Sequence, residues 1–283
     1  MKKLLPLLLI PFLVFSSCKK DNDDDSSVNL EVVKRQRATL TYYGATWCGP
    51  CGSSGDPAKE HIESTFGDDV VILNSQGAWQ GDNITSLGDF GNSFGNAFHD
   101  FLKTQDPSHG ISAPYQFWSA ANHQMSHGGF YSNNSDNATE SDATVNSILS
   151  DVVVSVGIAA SATNSGDSAV TINTKTKFYS ALGEHYIGVY LLEDGVMANQ
   201  VMSGGAPDAI TAHNNVIRFS AFEGNSLGAQ SIGTSFTADQ EVTGSYTIPL
   251  WSGWNISNLQ VAVVIWSSTN ADGISNSIIV DVN

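Results

Sequence analysis

Five residues, Trp47-Cys48-Gly49-Pro50-Cys51, constrain this chain more than any other feature. Two thiols separated by two residues can close a small ring and open it again. Gly-Pro between them, with Trp in front, is the pattern of a redox pair rather than of a generic thiol pair. The chemistry asks for the start of a helix. Pro50 suits a first helical turn, because its φ is fixed and its missing N–H is not needed there. Cys48 then precedes the helix, where unpaired N–H groups and the helix dipole favour a thiolate. Thiols so placed fall from a pKa of about 8.5 to about 7 or below. Cys48 is therefore expected to be exposed and attacking, and Cys51, one turn further in, to be the shielded resolving thiol.

Three other readings of the pair stay open. A purely structural Cys48–Cys51 disulfide closes so short a loop that chain entropy yields only about 2 kcal/mol, a weak staple for 283 residues. A zinc site would recruit His123 and His127, whose His-x3-His spacing supplies two more ligands. The chain between them and the cysteines is much longer than in a zinc finger, so no metal is expected. A fold of this kind can also keep the motif and serve as a scaffold, because fold does not fix function.

The N-terminus says where the chemistry takes place. Lys2 and Lys3 precede a short apolar run from Leu4 to Phe15, and Ser16 and Ser17 stand before Cys18. This is a secretory signal; it is too short for a membrane span and lacks a stop-transfer flank. Phe15-Ser16-Ser17-Cys18 resembles a bacterial lipobox, which makes Cys18 the expected lipidated first residue of the mature chain. An odd exposed thiol would otherwise remain in an exported protein. The run from Lys20 through Asp21, Asp23, Asp24 and Asp25 to Ser27 can bury nothing and is expected to be a disordered tether. It also resembles the acidic export signal of Bacteroidetes-type surface lipoproteins.

Composition narrows the partners. The formal net charge is −16 and only 14% of residues are charged. Such a chain has no electrostatic footprint for nucleic acid, and its body should not bind anionic lipid surfaces. All three cysteines are accounted for, one as anchor and two as the redox pair.

Two textures divide the chain. From about residue 31 to 150, helical and strand signals alternate. Ala38 to Tyr43 is a β-prone run into the Cys motif. Ala58, Ile62 and Phe66 lie four apart on one helical face, with Gly67 as a stop. Val70 to Leu73 reads as a buried strand. Leu87, Phe90, Phe94, Phe98 and Leu102 form a helical stripe that belongs to a core, Tyr115 to Trp118 is a strand, and Ala143 to Leu149 a last short helix. From about 151 on, helical periodicity vanishes. β-prone runs recur at 152–158, 170–178, 186–192, 216–222, 246–250, 259–266 and 278–282, separated by turn clusters such as Glu193-Asp194-Gly195. About seven strands of this kind predict an antiparallel sandwich.

The lipobox-like start, the stretch Tyr43 to Gly52 around the Cys motif, and the runs Tyr186 to Val201 and His213 to Phe222 together resemble the 28-kDa outer-membrane protein family. That family groups Bacteroidetes-type lipoproteins with a thioredoxin-like domain and a β-rich C-terminal domain, so the resemblance implies an outer-membrane location and little about a reaction. The wider thioredoxin pattern implies roles position by position. Cys48 matches the attacking thiol and Cys51 the resolving one. Pro57 matches the proline that kinks the active-site helix. Pro114 matches the cis-proline facing the disulfide, with Pro107 as its competitor, and Ala113 would offer its backbone to an extended substrate. Trp47, Gly49, Pro50, Ala113 and Pro114 are thus the expected substrate-binding residues. Two departures stand out. Tyr42 occupies the position where thioredoxins usually bury an acid, and Gly52-Ser53-Ser54-Gly55 is a weakly helical continuation.

The remaining residues add little. The seven His are scattered, with His61 on the polar face of a helix. Trp251 and Trp254 could stack on sugars, although packing between sheets is the expected role of such rings. The expected architecture is an α/β thioredoxin-like domain followed by an all-β antiparallel sandwich. Its bounds are a signal at 1–17, a tether at 18–30, the thioredoxin-like domain at 31–150 and the sandwich at 151–283. The expected function is thiol–disulfide exchange of reductase or isomerase type on exported proteins, with no cofactor beyond the Cys48–Cys51 disulfide. An electron donor, which the sequence does not identify, and membrane attachment through Cys18 complete the partners. The alternative is a non-enzymatic surface lipoprotein that binds through the sandwich.

Overall fold

A computed structural model of the chain describes residues 29–76, 93–104, 113–119, 125–129, 134–150, 153–166, 168–204, 206, 208–222, 224–267 and 273–283. The signal, Cys18, most of the tether, Leu87, Phe90, Pro107 and His123 lie outside the described residues, and of His127 only the backbone is described.

The first strands follow from apolar and β-branched runs that are buried on both faces. β1 (Ala38–Gly44) and β2 (Val70–Gln76) are buried along their whole length and pair in parallel, from Ala38 opposite Val70 to Gly44 opposite Gln76. A parallel pair needs a crossover, and α1 (Asp56–Phe66) supplies it, turning Ala58 and Ile62 inward. Gly67 then stops the helix with a φ of 48°, a conformation that favours glycine. α2 (Ser93–Lys103) buries Phe94, Phe98 and Leu102, as their spacing of four dictates. β3 (Tyr115–Ser119) runs antiparallel to β1, β4 (Met125–Gly129) runs antiparallel to β3, and α3 (Asn134–Leu149) packs Val145 and Ile148 beside Ile62.

The later strands are β5 (Val156–Asn164), β6 (Ala169–Phe178), β7 (His185–Glu193), β8 (Val196–Gln200), β9 (Ala209–His213), β10 (Val216–Ser220), β11 (Ala229–Gly233), β12 (Glu241–Pro249), β13 (Leu259–Trp266) and β14 (Ile274–Asp281). β12, β6 and β5 make a three-stranded antiparallel sheet, and β8 with β9 makes a separate hairpin. The alternating burial of β6 is that of a strand with one face on the core and one in solvent.

The expected α/β domain followed by a separate antiparallel sandwich does not form. β10 lies parallel beside β2, with Val216 opposite Asn74. Among the described residues a nine-stranded mixed sheet therefore runs β14-β13-β7-β10-β2-β1-β3-β4, with β11 also paired to β7. Strands from both sides of residue 150 share it, and the described chain is mostly β. The physical reason is the outer edge of β2, whose N–H and C=O groups would otherwise go unpaired. There the Asn74 N–H donates to the Asn215 carbonyl at 2.9 Å, and the Asn74 amide donates to the Asn214 carbonyl at 2.8 Å. One apolar core spans the join, placing Leu73, Phe98 and Phe117 with Tyr190, Leu192 and Trp266. A second core fills the space between the two sheets and includes Val156, Ile172 and Val261. Hydrogen bonds close the seam on the other side: Arg37 N–H donates to Asn276 Oδ1, and the Asn276 amide donates to the carbonyls of Arg35 and Val156.

Candidate functional site

β1 delivers the Cys motif to the end of the sheet. The Cys48 N–H donates to the Ala45 carbonyl at 3.1 Å, a tight turn that swings the chain into helix. Pro50 has φ −60° and ψ −27°, as a first-turn proline should. Residues Cys51–Gly55 form a single π-helical turn before α1 begins. The weak helix formers Gly52, Ser53, Ser54 and Gly55 give that wider turn, and Pro57 stands in the first turn of α1 beyond it.

Cys48 and Cys51 are joined in a disulfide with Cα atoms 5.2 Å apart. The Cys51 N–H points at Cys48 Sγ at 3.2 Å, the arrangement that would stabilise a thiolate there. Ala113 and Pro114 arrive from the segment before β3 with a cis peptide bond between them, and the Ala113 carbonyl oxygen lies 3.3 Å from Cys48 Sγ. Trp47 packs against the cysteines beside Ala113. The residues expected to form one site, Trp47, Cys48, Gly49, Pro50, Cys51, Ala113 and Pro114, are thus brought together.

The site is covered. Cys48 is only 4% exposed and Cys51 only 1%, whereas an attacking thiol was expected to be open. The cover is the tip of the β8–β9 hairpin, contributed from far along the chain. The Val201 N–H donates to the Thr46 carbonyl at 2.8 Å, and the Ser203 N–H donates to Ser53 Oγ at 2.7 Å. The Gln200 amide nitrogen reaches the carbonyls of Ala45, Cys48 and Val201 at 3.3, 3.0 and 3.0 Å. Two glycines permit the approach. A Cβ on Gly49 would stand 3.0 Å from Ser203 Oγ, and one on Gly52 would stand 2.7 Å from the Val201 carbonyl oxygen.

Behind the motif lies a buried polar cluster that the sequence did not disclose. Tyr42, at the position where an acid was missed, is fully buried, and burial followed by the charge of Asp56 raises its pKa well above the ordinary phenol value. The carboxylate comes instead from Asp56, on the next helix. Asp56 lies 3.8 Å from Lys59 Nζ and 3.9 Å from His213 Nδ1. Burial lowers the His213 pKa, with Asp56 opposing and Lys59 adding to the depression. His213 is 1% exposed. Its role was not legible because β9 is short and reaches α1 only through the tertiary fold. His61, by contrast, is half-exposed and bonds Asp142 at 3.0 Å. Among the described residues no group of three or more His, Cys, Asp or Glu is placed to hold a metal.

A family model for outer membrane protein Omp28 matches residues 130–281. The chain belongs to the Omp28 family. It is accordingly an outer-membrane protein, as the resemblance implied. Among solved structures, HBP35 of Porphyromonas gingivalis is 12% identical, with 89% of this chain and 77% of that one covered at a TM-score of 0.61. That likeness is one of fold. A domain of the outer membrane lipoprotein Omp28 from Porphyromonas gingivalis is 17% identical over 46% of this chain and 90% of its own, at a TM-score of 0.31. No curated protein matches the sequence.

Proposed function

We propose that the chain is a non-enzymatic outer-membrane surface lipoprotein, whose β-rich body serves as a binding module and whose Cys48–Cys51 disulfide is structural. One observation carries this reading: the disulfide is closed and roofed by Gln200, Val201, Met202 and Ser203. Exchange requires a thiolate to approach a disulfide sulfur in line, and access governs its rate. Here both cysteines are almost wholly buried, which leaves an incoming thiolate little access to either sulfur. The disulfide joins two residues that both support the cover, Cys48 through its carbonyl and Cys51 through the π-turn that presents Gly52 and Ser53. Its work is to hold the platform on which the hairpin tip rests.

A second reading is favoured by the Ala113 carbonyl beside Cys48 Sγ and by the Cys51 N–H aimed at the same sulfur. In it the pair exchanges with thiols or disulfides of exported proteins once the hairpin tip lifts. Cys48 thiolate attacks the partner's disulfide, one partner sulfur leaves as thiolate, and Cys51 thiolate then displaces the other, regenerating the Cys48–Cys51 bond and leaving the partner reduced. Each turnover needs two electrons from a dithiol donor to reopen that bond. Trapping in the cell separates the two readings. The structural reading expects Cys51→Ser to collect no envelope proteins as thiol-sensitive bands on non-reducing gels. A ladder of such bands with Cys51→Ser, absent with Cys48→Ser, would establish exchange instead.

A further inference from the structure

The loop after β12 carries two tryptophans in an arrangement that the roles of core and cover do not require. Trp251 and Trp254 lie parallel, their planes 7° apart and ring centroids 5.9 Å apart. Trp254 is half-buried and rests on Phe219, with centroids 6.4 Å apart. Trp251 is on the outside and 59% exposed. Packing between sheets, the ordinary role of such rings, therefore accounts for Trp254 and not for Trp251.

The loop is held from below by a buried ion pair. Arg218 Nε donates to Glu193 Oε2 at 2.7 Å, with both side chains almost wholly buried. The other carboxylate oxygen, Glu193 Oε1, accepts the Asn255 N–H at 2.9 Å. The turn itself closes with the Trp254 N–H on the Trp251 carbonyl at 3.0 Å. A buried charge pair is costly to desolvate, and here its second oxygen holds the loop backbone at Asn255, next to Trp254.

The chemistry around the ring selects among partners. Between Glu241 and Asp272 the sequence has no Asp, Glu, Lys, Arg or His. The groups nearest Trp251 along the chain are hydroxyls and amides: Ser252, Asn255 and Ser257 in the loop, and Thr247 on β12, directly opposite Thr171. A flat apolar face in a loop whose neighbours in sequence are uncharged hydrogen-bonding residues suits one face of a pyranose with its rim of hydroxyls, and Trp offers an apolar body with a polar handle. A highly charged ligand would find no counter-charge in this loop.

Position argues against the membrane as occupant. The N-terminal segment that leads to the anchor docks at one end of the three-stranded sheet, with Val32 against Gly157 and Lys34 Nζ 4.8 Å from the Tyr179 ring centroid. At that end Glu241 pairs with Lys177. Trp251 follows Pro249, which pairs with Ala169 at the other end. Eight residue steps along β12 separate the two ends, about 27 Å at a strand's rise per residue.

We propose that Trp251, seated on Trp254, is a stacking platform for neutral glycans. This deepens the binding-module reading by naming its ligand class. Affinity electrophoresis of the full chain through gels containing laminarin, xylan, glucomannan or dextran tests it. The expected result is retardation by at least one of these polymers and not by polygalacturonate. Trp251→Ala should weaken it by about tenfold, the loss of one ring contact, without changing the melting temperature, while Trp251→Phe, which keeps a ring, retains most of it. Retardation by none of the neutral polymers, retardation unchanged in Trp251→Ala, or a dimer in solution that Trp251→Ala dissociates would each overturn the proposal. Disulfide-exchange turnover by the same preparation would overturn the non-enzymatic reading and leave this inference standing, so the two fail separately.

Discussion

Gly52→Ala is the sharpest probe of the cover over the disulfide. In an ordinary helical setting this change stabilises by about 1 kcal/mol, because alanine is the better helix former. Here the new Cβ would stand 2.6 Å from Met202 Sδ, 2.7 Å from Gln200 Cγ and 2.7 Å from the Val201 carbonyl oxygen. The first two are side-chain atoms that can swing away. The third is backbone, so the hairpin tip must rise. Overpacking of this kind typically destabilises by about 1–3 kcal/mol. The contacts it loosens are the Val201–Thr46 and Ser203–Ser53 bonds and those of the Gln200 amide to the carbonyls of Ala45 and Cys48, each worth about 0.5–1.5 kcal/mol net. If reduction proceeds through a lifted tip, a penalty of about 1.4 kcal/mol raises the open population about tenfold. The assay is the rate of Cys48–Cys51 reduction by dithiothreitol, followed by maleimide labelling and mass measurement. Gly52→Ala should accelerate labelling by about tenfold and lower the urea midpoint. An unchanged rate with a raised midpoint would show that nothing overlies Gly52, and the account of the cover would fall.

Three further outcomes follow from the same structure. Cys18→Ser should abolish incorporation of labelled fatty acid and release the chain from the membrane fraction; retained label would disprove the anchor. Arg218→Met should destabilise by about 3–5 kcal/mol in urea unfolding, because it strands the buried Glu193 carboxylate, and the double variant with Glu193→Gln should recover part of the loss; a change within about 0.5 kcal/mol would show that the pair is not buried. His213 is held below its ordinary value of 6.5, chiefly by burial, so the unfolded chain takes up a proton before the folded one as pH falls. Its contribution to stability is whole above about pH 6.5 and declines below it until the folded imidazole itself protonates; urea midpoints at about pH 7.5 and about pH 5.5 should differ in that sense, and His213→Gln should shrink the difference.

Local structure was largely legible in the sequence, and its assembly was not. The helical spacing of Ala58, Ile62 and Phe66 marked α1 and Gly67 its end, and the apolar β-prone runs gave β7, β10 and β13 closely. β8, β9 and β11 were missed because Ala, Ser, Asn and Gln in five-residue strands carry little β propensity. β4 was missed for its glycines and its polar neighbours. α3 begins at Asn134, well before the apolar run that announced it, since its first turns are polar. The pairing of β10 with β2 rests on asparagine backbone and side-chain bonds between residues 140 apart in sequence, and no periodicity reveals such a match. The candidate site divides in the same way. The motif marked Cys48 and Cys51, and the wider resemblance pointed to Pro114, which lies next to Ala113 beside them. The roof from Gln200 to Ser203 and the acid at Asp56 come from other parts of the fold, and the motif did not announce them.

The central claim, a covered and non-catalytic disulfide, is tested most directly by turnover. Scrambled ribonuclease is incubated with a glutathione buffer and the full chain, and recovery of ribonuclease activity is followed. The account predicts a rate equal to that of the buffer alone at every concentration of the chain. A saturable acceleration that disappears in Cys48→Ser would contradict it and make the pair an exchange centre.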